Sequence, residues 1–148
     1  MDAIVKLNTD DYHKCSNIWN MEKCPFTDMF YDEIKQGNRI VFIYKNKDDF
    51  IAEGALVWNK EGYTIPGKRI YLSRLIVKKE HRNQGIGIKL LDYLIKQSSD
   101  WGCSEIVLGV DCDNESAIHL YKKKDFEIYE HGRDEYGEFY KMIKKLRC

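Results

Sequence analysis

The chain has 148 residues, 43% of them hydrophobic, and its 24 Lys and Arg residues balance 24 Asp and Glu residues, so we predict a single well-buried domain over residues 1–148. The lack of a basic excess argues against nucleic acid as a partner, because phosphate backbones are bound by basic surfaces. No apolar run approaches the length of a membrane span and residues 1–4 show no targeting pattern, so we predict a cytoplasmic protein with no membrane partner.

The five cysteines are odd in number and scattered along the chain. They form no Cys-x-x-Cys pair, and no histidine stands near them at zinc-ligand spacing, so we predict no metal site and free thiols in a reducing compartment. Cys112 lies beside the site described below, which leaves a nucleophilic role as an alternative. Nothing adjacent in the sequence would activate its thiol, so we expect it to be dispensable.

The chain is predicted to begin with a short strand over residues 3–7. Asn8 or Thr9 then caps a first helix that runs to about residue 20.

A second helix is predicted from a cap at Thr27 to residue 36, where Gly37 ends it. Large apolar side chains cluster around this helix and favour core packing, with a binding wall as the alternative. These are Trp19, Met21, Phe26, Met29, Phe30 and Tyr31.

Two apolar runs, 39–45 and 50–58, are separated by the polar residues 46–49. This pattern predicts an antiparallel hairpin. Gly54 in the second run indicates a bulge or a close contact with another element.

The stretch over residues 69–99 combines a strand, a glycine turn and an amphipathic helix. Gly85 and Gly87 let the backbone approach a ligand closely, and the free N–H groups of the helix's first turn point into the same space. Such a turn binds anions, and Arg82 adds a cation whose donors suit phosphate oxygens. We therefore predict a ligand that carries a diphosphate.

The spacing of residues in the turn distinguishes between the known phosphate-binding motifs. A P-loop fails because no Gly-Lys-Ser/Thr ends the turn, and a dinucleotide fingerprint fails at Leu90, where a small residue is needed. The remaining pattern, Arg-x-x-Gly-x-Gly at 82–87 after a strand ending at residues 75–77, resembles the acetyl-CoA signature of the GNAT-type N-acetyltransferase superfamily. A glycine turn that serves only close packing is the alternative.

A second motif supports this resemblance. Residues 114–126 resemble the superfamily's Asn-x-x-Ala-x-x-Leu-Tyr-x-Lys-x-Gly-Phe pattern, and they follow a predicted strand over 105–110. Asp125 stands where the pattern has glycine, which predicts a slightly strained helix end. The chain is predicted to end with a helix over about 116–124 and strands over 126–129 and 139–143 around a polar loop.

The resemblance implies an α/β fold with the element order β α α β β β α β α β β. It implies one mixed, mostly antiparallel sheet flanked by about four helices, whose fourth and fifth strands splay apart to form the acetyl-CoA cleft. A homodimer is compatible with such a fold.

The resemblance also implies a site for acetyl-CoA as co-substrate. Backbone groups of the strand end contact pantetheine and the acetyl carbonyl, the turn holds the diphosphate, and Asn114 contacts the cofactor arm. A helix cap is the alternative role for Asn114. The implied cofactor-binding residues are Leu75, Ile76, Val77, Arg82, Asn83, Gln84, Gly85, Ile86, Gly87, Asn114 and Tyr121.

Tyr121 matches the superfamily position that acts as general acid toward the departing thiolate, and core packing is its alternative role. No general base is assigned, because the strand position four residues before Leu75 is Tyr71 rather than a carboxylate. A water chain to Asp111 or Glu105 is one alternative, and an amine that arrives deprotonated is another. We expect His119 to be a solvated surface residue.

The acidic residues Asp134, Glu135 and Glu138 in the last loop favour a cationic acceptor. We therefore predict transfer of an acetyl group from acetyl-CoA to a small-molecule primary amine resembling a polyamine or an aminoglycoside. The alternatives are a protein lysine or N-terminus as acceptor, and a non-catalytic acyl-CoA binding module.

Overall fold

The computed structural model describes residues 2–146. One seven-stranded sheet forms the centre, in the order β1-β2-β3-β4-β5-β7-β6, and only β4 and β5 pair in parallel. The predicted α/β fold with a mixed, mostly antiparallel sheet is confirmed. The strands are β1 Asp2–Lys6, β2 Arg39–Asn46, β3 Asp49–Val57, β4 Arg69–Val77, β5 Glu105–Asp111, β6 Glu127–Asp134 and β7 Gly137–Lys145.

Four helices flank the sheet, and a short 3-10 turn, Lys79–His81, follows β4. They are a 3-10 helix, Thr9–Asn17, and the α-helices α1 Thr27–Lys35, α2 Ile86–Asp100 and α3 Glu115–Lys123.

Each face of the sheet has its own core. Leu90, Leu91 and Leu94 of α2 pack with the strand residues on one face, because apolar residues recur at helical spacing along α2. The 3-10 helix and α1 cover the other face through residues such as Cys15 and Phe30. The close contact predicted at Gly54 is present, since a Cβ there would lie 2.6 Å from Leu94 Cδ1.

The N-terminal helices begin or end differently from the prediction. The first is a 3-10 helix that ends at Asn17, and Asn8 caps it by accepting a hydrogen bond from Asp10 N. The second covers Thr27–Lys35, so Thr27 is its first residue and not the predicted cap, and the helix ends one residue before the predicted end. The Thr27 hydroxyl instead donates to Met21 O at 2.6 Å, which ties the start of α1 to the preceding loop.

The prediction of a polar loop between strands over 126–129 and 139–143 is wrong. β6 extends to Asp134 and β7 begins at Gly137, so only two residues connect the strands. Across the two strands, Glu138 forms an ion pair with Arg133 at 3.4 Å and its Oε1 lies 3.3 Å from His131 Nε2, so polar contacts link the strands over this extension. The strands are largely solvent-exposed here, so their sequence lacks the apolar alternation by which a strand is recognised.

The sheet opens between β4 and β5. Their parallel pairing covers only three residue pairs and stops at Tyr71 and Val107. β5 remains paired with β7 along its whole length, so it follows β7 and leaves β4. The splaying predicted for the fourth and fifth strands is therefore present, and it creates a gap at the carboxyl ends of both strands.

Candidate active site

The gap between β4 and β5 contains a cleft of about 250 Å³. Residues from β4, β5 and α3 line it, so three separate parts of the chain meet around one space. The lining includes Tyr71, Leu75, Gly109, Asp111, Asn114 and Tyr121.

The strand end that was predicted to contact the cofactor is shaped by a bulge. Ile76 pairs with Glu53 and Ser73 pairs with Ala55, so Arg74 and Leu75 together oppose the single residue Gly54. Arg74 takes a left-handed conformation with φ of 58° to make this bulge. The bulge interrupts the ladder at Leu75, which lines the cleft, so backbone groups at this point are directed away from regular pairing.

The glycine turn lies directly beyond this strand end. Gly85 has φ of +80° and Asn83 has φ of +63°, so the turn depends on a conformation that glycine adopts freely and asparagine tolerates. The first bond from α2 to the turn is Lys89 N to Gly85 O, so the N–H groups of residues 86–88 precede the helical ladder. These N–H groups lie beyond the end of β4 and have no helical partner, and the binding of a diphosphate by them stays a prediction.

Two residues of the turn were predicted to serve the ligand, Gly87 by leaving space and Arg82 by its charge. A Cβ at Gly87 would lie 3.5 Å from Val77 Cγ2, an ordinary contact, so neither packing nor backbone strain requires glycine there. The close approach of a ligand to the backbone stays the prediction for this glycine. Arg82 Nε donates to Val77 O at 3.0 Å, which holds the guanidinium beside the strand end and occupies the Val77 carbonyl.

Asn114 both caps α3 and lines the cleft. Its Oδ1 accepts hydrogen bonds from Ala117 N and from the Ser116 hydroxyl, each at 3.3 Å. The capping role that we considered from the sequence is thus present. Asp125 at the other end of the helix has φ of 69°, the left-handed conformation expected where the motif has glycine.

Tyr121 reaches the cleft from α3 and is 9% exposed. Its ring packs edge-on against Phe126 at a centroid distance of 5.6 Å. Burial, with a smaller contribution from Tyr71, raises the pKa of Tyr121 to about 12. The phenol is therefore protonated at neutral pH and presents a hydrogen-bond donor to the cleft.

The residues considered as general base differ in their position relative to the cleft. Glu105 accepts a hydrogen bond from Arg69 Nε at 3.0 Å at the closed end of the β4–β5 pair, so it is remote from the gap. Asp111 lines the cleft, whereas His119 is exposed as expected. Tyr71 also lines the cleft, and burial raises its pKa, so it is neutral at ordinary pH.

A buried polar cluster on the α1 side of the gap was not predicted from the sequence. The Arg74 guanidinium lies 4.4 Å from the Trp19 ring and 5.1 Å from the Phe30 ring. Trp19 Nε1 donates to Glu53 Oε1 at 2.5 Å, and burial raises the pKa of Glu53. The available signal was a charged residue in the interior of each of two apolar strands, Glu53 in β3 and Arg74 in β4.

The C-terminal hairpin borders the cleft through a second hollow of about 200 Å³ that shares Asp111 with it. Tyr136 at the hairpin turn lines this hollow and is 67% exposed. Its ring lies edge-on to Phe26, with the centroids 6.1 Å apart, so the two residues bridge the hairpin and the start of α1. Glu138 forms an ion pair with Arg133 at 3.4 Å, so one of the three acidic residues that were predicted to attract a cationic acceptor already has a basic partner.

Within residues 2–146, no three His, Cys, Asp or Glu side chains converge as metal ligands. Over the same range, no helix has both the length and the apolar character needed to cross a membrane. Cys15, Cys24, Cys103 and Cys112 are free, and Cys148 lies outside the described residues.

Known proteins with a similar sequence identify the family of this chain. The model of the acetyltransferase (GNAT) family matches residues 1–126. The chain belongs to the GNAT family. The GCN5-related N-acetyltransferase 7, chloroplastic, of Arabidopsis thaliana is 31% identical over 104 residues, which cover 70% of this chain and 36% of that protein. The N-alpha-acetyltransferase 50 of Danio rerio is 30% identical over 120 residues, which cover 80% of this chain and 67% of that protein.

The GNAT fold is also shared with solved structures. An aminoglycoside 6'-N-acetyltransferase complexed with coenzyme A superimposes with a TM-score of 0.79 at 18% identity, covering 99% of this chain and 98% of that one. The chain spans between 35% and 67% of the length of the curated relatives it matches. Family membership and these N-acetyltransferase relatives support acetyl-CoA-dependent N-acetyl transfer.

Proposed function

We propose that this GNAT protein transfers an acetyl group from acetyl-CoA directly to the nitrogen of a primary amine. The observation that carries the proposal is the gap between β4 and β5. It has a main-chain anion site at its open end and the protonated Tyr121 hydroxyl in its wall. A cofactor with a diphosphate and a thioester arm suits both features.

The cofactor would be held mainly by backbone. The turn over residues 82–87 offers free N–H groups and a helix N-terminus to the diphosphate, and Gly87 leaves space for it. The interrupted ladder at Leu75 offers backbone groups to the pantetheine arm and the acetyl carbonyl. Asn114, at the α3 side, contributes the N–H of its amide side chain, since its Oδ1 already accepts hydrogen bonds in the cap.

In the proposed reaction, the amine nitrogen forms a bond to the acetyl carbonyl carbon and the carbon–sulfur bond breaks. The departing sulfur takes the electron pair, and Tyr121 stabilises it by donating a hydrogen bond. A phenol with a pKa of about 12 is a weaker acid than a thiol, whose pKa is roughly 8.5. Complete proton transfer to sulfur is therefore uphill, and the main contribution is a hydrogen bond that strengthens as negative charge develops.

The amine must lose a proton during this reaction. Asp111 is the carboxylate in the cleft lining, so we propose that it accepts that proton, directly or through water. Glu105 is not available for this role because Arg69 binds it at the closed end. Turnover distinguishes this proposal from the alternative of a non-catalytic binding module. Such a module would bind acetyl-CoA but would not transfer its acetyl group.

Two acceptor classes have specific support. A small cationic amine was predicted from the acidic hairpin residues, and a fold neighbour acts on aminoglycosides. The exposed apolar pair Phe26 and Tyr136 instead favours an amine attached to an apolar group, such as a peptide N-terminus. The pairing of Glu138 with Arg133 weakens the case for a polycation. We therefore rank the peptide α-amine first.

The test measures free CoA released from acetyl-CoA in the presence of a panel of amines. The panel contains spermidine, kanamycin and short peptides that differ only in whether the N-terminus or an internal lysine is free. We expect turnover, with the acetyl group found on nitrogen by mass spectrometry and the α-amine peptides preferred. Tight acetyl-CoA binding without turnover of any panel member would instead establish a binding module.

A further inference from the structure

Tyr63, in the loop between β3 and β4, reaches across the sheet to β5. A Cβ at Gly109 would lie 2.7 Å from the Tyr63 hydroxyl oxygen, a distance that ordinary side chains do not adopt. The Tyr63 hydroxyl therefore occupies the place that a side chain at position 109 would take. Gly109 lines the cleft, so this hydroxyl lies directly beside one residue of the cleft lining.

Tyr63 also packs against Tyr71, a second residue of the cleft lining. The two rings lie 4.7 Å apart at an angle of 51°. Side chains alternate along a strand, so Val107 and Gly109 face one side of β5 while Leu108 faces the core that contains Tyr121. The gap is thus bordered by Tyr121 on one side of the sheet and by Tyr71 and Tyr63 on the other.

Lys141 of β7 fixes the position of Tyr63. It pairs with Gly109 in the β5–β7 register, and its Nζ lies 4.5 Å from the Tyr63 ring centroid. The same Nζ donates to Gly62 O at 2.7 Å and forms an ion pair with Glu130 at 2.9 Å. These contacts hold the loop against the sheet, so the hydroxyl has a defined place.

We propose that Tyr63 determines acceptor binding: its hydroxyl accepts a hydrogen bond from the acceptor amine on the side of the gap opposite Tyr121. This inference rests on the proposed N-acetyl transfer and names the residue that orients the amine. An amine held here and a sulfur held at Tyr121 would approach the acetyl carbon from opposite sides of the sheet. Burial raises the pKa of both Tyr63 and Tyr71, so each is a neutral hydrogen-bonding group rather than a base.

The contact between Gly109 and the Tyr63 hydroxyl can be tested by substituting either residue. Gly109→Ala introduces a Cβ that must displace the Tyr63 hydroxyl, whereas the nearest ring carbons lie 3.5 and 3.6 Å away, at ordinary contact distance. Tyr63→Phe removes the hydroxyl and with it the clash. The two substitutions should therefore be coupled, and the double variant should be no worse than Tyr63→Phe alone.

The experiment measures KM for the best amine of the panel, kcat and acetyl-CoA affinity for both single variants and the double variant. We expect each single variant to raise the amine KM by roughly tenfold, as loss of a hydrogen bond to a charged or polar group does, with unchanged acetyl-CoA affinity and little change in kcat. Tyr93→Phe, on α2 against Phe42, is the matched control and should behave as wild type. Melting temperatures identify any variant that acts only through folding.

The outcomes separate this inference from the proposed function. An unchanged amine KM for a folded Tyr63→Phe that still turns over would overturn the inference and leave the N-acetyltransferase proposal intact. Additive losses in the double variant would also overturn it, because position 109 would then act independently of the hydroxyl. Lack of turnover of every panel amine by wild type contradicts the proposed function, and this inference falls with it.

Discussion

Replacing Tyr121 with Phe removes the hydroxyl that we place against the departing sulfur and keeps the ring. The ring contact with Phe126 is apolar and is retained in the variant. The lost hydroxyl contributes at most a hydrogen bond to folding, so we expect the free energy of unfolding to change by no more than about 1 kcal/mol. Tyr121→Phe therefore separates catalysis from stability.

The size of the rate effect follows from the acidity of Tyr121. A positioned acid contributes about 10²–10⁴-fold to a rate. A pKa of about 12 makes this phenol a weak donor, and water can partly replace it. We therefore expect kcat to fall by at least about tenfold, which corresponds to ~1.4 kcal/mol of transition-state stabilisation.

The assay compares single-turnover rates of wild type, Tyr121→Phe and the control Tyr93→Phe at saturating acetyl-CoA and amine. Calorimetry should give similar acetyl-CoA affinities for all three proteins. A wild-type rate for Tyr121→Phe under conditions where chemistry limits turnover would show that Tyr121 is a packing residue, and the stabilising role toward sulfur would have to be reassigned.

Three further predictions concern other groups around the cleft. Asp111→Asn should lower kcat/KM at pH 7 by at least about tenfold with acetyl-CoA affinity unchanged, and an unchanged pH–rate profile would exclude Asp111 as proton acceptor. Cys112→Ser should keep near-normal turnover, and lost activity with intact CoA binding would indicate an acyl-cysteine route. Burial raises the pKa of Glu53 above its ordinary 4.5. The folded protein therefore binds the proton of the Glu53 carboxyl group more tightly than the unfolded chain does. Stability from this group is therefore lost as pH rises from 4.5 through the raised pKa, and the melting temperature of Glu53→Gln should improve relative to wild type over that range. Parallel pH curves for the two proteins would contradict this explanation.

The features that sequence predicted well are encoded locally. The strand, glycine turn and helix over residues 69–100 depend on neighbouring residues, so periodicity and the two glycines were sufficient to place them. Tyr121 and Asn114 were placed in the cleft wall because their motif fixes one helix and its start. The two strands of the β6–β7 hairpin were predicted, but their extension through residues 130–138 was missed because the exposed residues there form cross-strand ion pairs instead of an apolar alternation.

The acceptor side of the site depends on contacts between distant parts of the chain. Tyr63 belongs to a loop with no recognisable pattern, and its meaning comes from Gly109 and Lys141 on two other elements. Arg74 and Glu53 likewise gain their partners only when the 3-10 helix segment and the strands pack together. Spacing in one sequence does not contain these pairings, so the glycine turn and the start of α3 were predictable, whereas the contacts of Tyr63, Arg74 and Glu53 were not.

The central claim, that the turn over residues 82–87 holds the acetyl-CoA diphosphate, is tested most directly by calorimetric titration of CoA into wild type and Gly87→Val. The added Cβ meets Val77 Cγ2 at an ordinary 3.5 Å, so the variant should fold, while its branched side chain enters the space of the ligand. We expect CoA affinity to fall by at least about tenfold, as when hydrogen bonds to a charged group are lost. Ile88→Val, at the exposed next position, should bind CoA as wild type does. Equal CoA affinity for wild type and a folded Gly87→Val would contradict the claim.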